Sequence, residues 1–217
     1  PRFLQSRIET VVRGVAGLRP GAEIDQRIAR NSLLKLIGGA TMFTVAANTV
    51  TGNLSINTAG NISASGGTAT ASAPSATLTT ADAILRGSTV NLVVGGDLDL
   101  TGGTTNITST AGPLQSATAV ASLQATTMTI NVAGNVGVTG GKATAATGGN
   151  TANSSAGISS VVTLTPVIQG DLTLTGGTAV AESVAGNLAK AEATAEIHTG
   201  GDLNLRITGD VNVQGGT

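Results

Sequence analysis

The chain has 217 residues, 31 of them glycine, with two phenylalanines, no tyrosine, tryptophan or cysteine, and 11% charged residues. A 40% hydrophobic content and a positive mean hydropathy exclude a disordered Gly/Ser linker, because enough apolar surface is present to offset chain entropy. The core must be built from Leu, Ile, Val, Ala and Thr, and no apolar run reaches the roughly 18–20 residues that span a bilayer.

Net charge is −1 but unevenly placed. Seven of the eleven basic residues lie in the first 35 positions beside three of the twelve acidic ones, so that stretch carries +4 and the rest −5. Within it, Leu4, Ile8, Val11, Val12, Val15 and Leu18 recur at helical spacing up to Pro20-Gly21, which predicts an amphipathic helix. The following AEIDQRIARNSLLKLI (22–37) predicts a second short helix. Residues 1–40 are therefore read as a helical segment that caps one end of the domain behind it or contacts a neighbouring subunit. Its basic residues are read as a solvated face rather than a nucleic-acid or membrane surface. The run LLKLIGGATMFTVAA (33–47) is like the apolar part of a secretion signal, but Lys35 interrupts it and patterned sequence precedes it. A chain that opens on Pro1 is expected to be a processed product or a piece of something longer.

From residue 41 to 217 the sequence repeats. Glycines that precede Asn or Asp stand at Gly60, Gly96, Gly134, Gly170 and Gly209, separated by 36, 38, 36 and 39 residues. Gly-Gly pairs begin at Gly66, Gly102, Gly140, Gly176 and Gly215 with the same separations. Inside each unit the period is two: Val90, Leu92 and Val94; Leu98 and Leu100; Met128, Ile130 and Val132; Val136 and Val138; Leu172 and Leu174; Leu203, Leu205 and Ile207. Such alternation between Gly-Asn, Gly-Asp and Gly-Gly turns predicts short half-buried strands, with glycine and Asn/Asp chosen for positive φ. After each Gly-Gly the inward slots are smaller: Ala69 and Ala71, Thr105 and Ile107, Ala143 and Ala145, Ala179 and Ala181. Two walls close together are expected there. LAKAEATAEIH (188–198) has the propensity of a helix, yet Ala189, Ala191, Ala193, Ala195 and Ile197 alternate with polar residues, so it is read as strand.

A register held through five anchors favours a parallel β-helix (β-solenoid) over a sandwich, because equivalent side chains must stack on successive coils. The expected fold is all-β, with about two coils per 36–39-residue repeat and so nine or ten coils, a rod roughly 45 Å long at ~4.8 Å per coil. The chain stops at VNVQGGT, just after a strand and corner, and a head-to-tail contact between copies would cover such an end.

Chemistry is sparse. His198 is the single histidine and is read as a surface residue beside Glu196, since triads and most zinc sites need more partners. Asp97, Asp171, Asp202 and Asp210 follow glycine and are read as turn formers, because the G-G-x-G-x-D pattern of calcium-binding repeats is missing. Glycine-rich runs lack the Gly-Lys-Ser/Thr of a phosphate loop. Asn61 and Asn106 open N-x-Ser/Thr triplets, a frequent coincidence in Thr-rich sequence. Sugar-active β-helix enzymes need clustered acids and stacking aromatics, which this chain lacks, and an ice-binding threonine ladder is spoiled by Asp99, Gly137 and Asn212 at equivalent outward slots. No catalytic, cofactor-binding or metal-binding residue is predicted, and no cofactor.

GGDLDLTGGT (95–104), AGNVGVTGGK (133–142) and QGDLTLTGGT (169–178) resemble the repeats of large secreted exoproteins of the filamentous-haemagglutinin type, exported by two-partner secretion. The resemblance covers roughly residues 45–217. It implies a right-handed parallel β-helix on a bacterial surface, acting as an adhesive or structural stalk, and residues 1–40 do not resemble that family's secretion domain. The expected function is a non-enzymatic extracellular stalk or filament subunit that self-associates head to tail. A carbohydrate-binding β-helix protein, with surface glycans as its partners, or a carbohydrate-active one is the alternative, and ice binding a third.

Overall fold

The structure, a computed structural model, describes residues 24–27, 34–37, 43–49, 52–71, 78–108, 115–146, 150–182 and 189–217. Among them all strand pairing is parallel and falls into three sheets. The long sheet stacks Ile24–Arg27, Asn53–Thr58, Leu78–Val94, Gln115–Val132, Asn150–Ile168 and Lys190–Thr199. Phe43–Thr49 runs along the first half of Leu78–Val94, and the short strands Asp202–Leu203 and Arg206–Ile207 run along Asn150–Ile168. A second, leucine-rich sheet stacks Leu34–Ile37, Ile62–Ser65, Leu98–Thr101, Val136–Thr139, Leu172–Thr175 and Val211–Gln214. A third, alanine-rich sheet stacks Thr68–Ala71, Thr104–Thr108, Lys142–Ala146 and Thr178–Ala181. These are the stacked coils of a β-solenoid, as the repeat requires.

The register corrects the coil count. Leu98 pairs directly with Val136, Val136 with Leu172, and Leu172 with Val211. Residues one repeat apart are hydrogen-bonded neighbours, so each 36–39-residue repeat is one coil and not two. The solenoid has about four turns, a stack of roughly 20 Å at ~4.8 Å per coil. The error came from the long sheet. Its strands run for 17, 18 and 19 residues, where short strands were expected, so one coil uses up the residues allotted to two. A second correction concerns 22–37: Ile24–Arg27 and Leu34–Ile37 are strands there, paired with Asn53–Thr58 and Ile62–Ser65. Parallel pairing to an existing coil supplies a full ladder of hydrogen bonds, which outweighs the modest helical propensity of IDQR and LKLI. The helix expected over 4–18 lies outside the described residues.

The alternation places side chains as expected. Val90, Leu92, Leu98, Leu100, Met128, Ile130, Val136, Val138, Leu172 and Leu174 are all buried. So are Ala69, Thr105, Ala143 and Ala179 in the small-residue slots. Lys190–Thr199 is strand, with Ala193, Ala195 and Ile197 turned inward.

The interior is divided into two lobes. The larger packs the leucine-rich sheet against the later part of each long strand, as in Leu98, Val136 and Leu172 against Leu123, Met128 and Ile130. The smaller packs the alanine-rich sheet against the start of each long strand through Ile107, Ala117, Ala119, Ala143, Ala145 and Ala152. Between the lobes the Gly-Gly corner touches the opposite wall. The N–H groups of Gly103 and Gly141 donate to the carbonyls of Ala81 and Ala119 at 2.7 and 2.9 Å. A Cβ on Gly103 would overlap the carbonyl of Gly67 one coil below. Neither Gly103 nor Gly141 takes a positive φ, so close approach of backbones, not turn conformation, is what demands glycine here. The positive-φ reading is corrected for these corners.

Turning Ala81's carbonyl inward removes it from the ladder, and the register skips from Thr80–Thr118 to Ala83–Ala121. The Asp82 carboxylate fills the gap by accepting the Val120 N–H at 2.9 Å.

Candidate functional site

The outer surface is concave where the long strands bend. The inward residues at the bend are small and buried (Gly87, Ala125 and Ser160), so the wall folds toward the interior and leaves a groove of about 630 Å³ outside. One bank is a column of register neighbours, Arg86, Gln124, Ser159 and His198. The other holds Ser88, Thr126, Val161 and Gly200. Four coils contribute, so the groove runs parallel to the stacking axis for about 14 Å.

A bulge shapes its middle. Ala125 pairs with Ser160 and Thr127 with Thr163, so Val161 and Val162 stand opposite Thr126 alone. Such an insertion frees backbone carbonyls. The buried Ser160 hydroxyl lies within reach of two of them, Thr163 at 2.7 Å and Thr126 at 3.1 Å, and its single proton serves one at a time. The extra residues are pushed outward, leaving Val161 65% and Val162 50% exposed. Next to the bulge, Gln124 Nε2 donates to the buried Ser122 hydroxyl at 2.9 Å, which fixes the amide on the bank.

His198, read as a surface residue, is exposed and closes the column at one end of the groove. Glu196 lies two residues away on the same strand face, outside the lining. Sequence reasoning missed Arg86, Gln124 and Ser159, which share no residue type. The available signals were Gly87 inside a strand pattern and the break in alternation at Ser160-Val161-Val162.

The acids after glycine do more than turn the chain. Asn61, Asp97, Asn135, Asp171 and Asp210 form a ladder up one corner, each side chain receiving the N–H of its counterpart one coil on. The distances are 2.9 Å from Asp97 to Asn61, 2.8 Å from Asn135 to Asp97, 2.8 Å from Asp171 to Asn135 and 2.9 Å from Asp210 to Asp171. The glycine before each is again a matter of space: a Cβ on Gly134 would overlap Asp97 Oδ1. Asp202 belongs elsewhere, paired in register with Thr163 near the bend. Asn106 lies half-buried on the outer face of the alanine-rich sheet, level with Thr70 and Thr144.

The outward slots Asp99, Gly137, Thr173 and Asn212 do form one column. Beside it Ser65, Thr101, Thr139 and Thr175 make a continuous hydroxyl column. Asp99 sits against Gly137, where a Cβ would come within 2.7 Å of its Oδ1. Burial first, and then the charge of Asp97, raise the Asp99 carboxyl above the usual range. Asp82 is the more perturbed acid. Desolvation pushes it to about 6 against the stabilising Val120 N–H.

Among the described residues no three or more His, Asp and Glu side chains gather as a metal site, and no helix is long and apolar enough to cross a membrane. What the surface offers is a polar groove, hydroxyl columns and a self-pairing corner. No protein-family model matches the chain, and neither the curated proteins nor the solved structures contain a match.

Proposed function

We propose that this chain is a rigid, non-enzymatic segment of an extracellular structural or adhesive protein on a bacterial surface, of the filamentous-haemagglutinin type, whose solenoids stack head to tail. The observation that carries the reading is the rung Lys190–Gln214. Its inward residues Leu203, Val211 and Val213 are 47%, 52% and 46% exposed, although their counterparts one coil below are buried. Asp210 repeats the ladder position and is placed to accept an N–H from one more coil. A further coil, of the same polypeptide or of a second copy, would complete the leucine-rich sheet by parallel pairing. The N-terminal segment ahead of Ile24 acts at the opposite end, as a cap or subunit contact. Winding is right-handed, in keeping with the strong preference of parallel crossovers. The groove lining contains one histidine and no carboxylate, which supports a binding or structural role over hydrolysis.

Negative-stain imaging of the purified chain is expected to show filaments one solenoid thick. Val211→Asp with Val213→Glu should leave a folded chain that forms none. A wild-type preparation of short monodisperse particles overturns the filament.

A further inference from the structure

The groove at the strand bend has a direction, a composition and a built side chain that the filament reading does not use. It follows the stacking axis, so every long strand crosses it. The inner strands' N–H and C=O groups pair with the coils on either side, and Ser160 Oγ lies against the Thr163 and Thr126 carbonyls at the bulge. Along the inner coils the ladders occupy the backbone, so a peptide lying in the groove would find few main-chain partners there. Recognition therefore falls to side chains.

Those side chains are a guanidinium, a carboxamide, a hydroxyl and an imidazole, at Arg86, Gln124, Ser159 and His198, one per coil. Each group hydrogen-bonds readily to hydroxyls, and their even spacing of ~4.8 Å suits a ligand whose own hydroxyls recur along an extended strand. The Gln124 amide is held by Ser122 before any ligand arrives, a placement that an idle surface residue does not need. Val161 offers an exposed apolar face against which sugar C–H groups can lie. Nucleic acid fits poorly: the chain has no tyrosine or tryptophan on which bases stack, and the groove carries a single permanent cation.

We propose that this groove binds an extended, uncharged polysaccharide strand lying parallel to the solenoid axis. The proposal gives the adhesive part of the function above its ligand class and rests on that part alone. Filament formation is read by imaging and glycan binding by titration, so either fails without the other.

The experiment is calorimetric titration of the whole chain with a β-linked glucose hexamer, beside a polyuronate hexamer and an extended hexapeptide. The expected result is saturable binding of the glucose hexamer with a Kd on the order of 1 mM, as befits a shallow groove without aromatic stacking, and little change when salt is raised. Gln124→Leu and Ser159→Val should each weaken it about tenfold, with the circular dichroism spectrum and melting temperature held. Thr173→Ala, on the outer face of the leucine-rich sheet, should leave it unchanged. No saturation by the glucose hexamer overturns the proposal, as does equal binding by the Gln124→Leu variant. Polyuronate binding alone, lost in high salt, would identify Arg86 as a simple charge site and overturn it too. Peptide binding as tight as sugar binding has the same consequence.

Discussion

At the scale of single residues, the corner ladder shows why amides are interspersed among its acids. Asn135 lies between Asp97 and Asp171 and accepts the Asp171 N–H at 2.8 Å. Asn135→Asp would keep that acceptor but place four carboxylates, at 97, 135, 171 and 210, in successive coils. It is expected to cost about 1 kcal/mol in chemical denaturation at low salt, since unit charges ~5 Å apart in water repel by roughly that amount, and to recover as salt screens them. Asp82 responds to acid in the opposite sense to most carboxylates. Its folded value of about 6 exceeds the unfolded value of 3.8, so the folded state holds the proton more tightly. Stability from this group is greatest below the unfolded value and falls as pH rises from about 4 through 6. Asp82→Asn keeps an acceptor for Val120 and removes the charge. It should flatten that stretch of the pH–stability curve and raise stability at pH 8 by about 1–2 kcal/mol.

At the scale of elements, the Gly-Gly corner decides the cross-section. Where it meets the opposite wall, the interior narrows to backbone against backbone, with leucine on one side and alanine on the other. Gly103→Ala would drive a methyl into Gly67's carbonyl and part the walls, at a cost of about 3 kcal/mol or loss of cooperative folding on urea titration. The same substitution at Gly137 should be milder, because only the end of the Asp99 side chain must move. The elements were legible in unequal measure. Period-two alternation identified the short strands after each corner and the inward residues named for them, and it overrode the helical propensity of 188–198, now the strand Lys190–Thr199. It said nothing about how far a strand runs before the chain turns. Leu78–Val94 contains one glycine and no proline; at its bend the pairing skips Ser88 on one side and passes from Phe43–Thr49 to Asn53–Thr58 on the other, and a lone glycine in the sequence does not tell such a kink from a corner.

At the scale of the whole molecule, the repeat was visible and the pitch was not. A spacing of 36–39 residues states which positions are equivalent, and any whole number of coils per repeat satisfies it. Only the pairing of Leu98 with Val136 fixes the number at one. The groove was hidden for the same reason: Arg86, Gln124, Ser159 and His198 are unlike in type and become a column only once that pitch is known.

That one-to-one match between repeat and coil makes the solenoid's height adjustable in whole storeys. Excising residues 97–134, which joins Gly96 to Asn135, would take out a single storey and set Val136 above Ile62, apolar on apolar, with Asn135 above Asn61. The shortened chain should still melt as a folded protein, at a lower temperature, whereas a cut of half that length would throw every remaining floor out of alignment. Gain and loss of entire circuits is thus a route by which such a chain can change its reach while its cross-section stays the same.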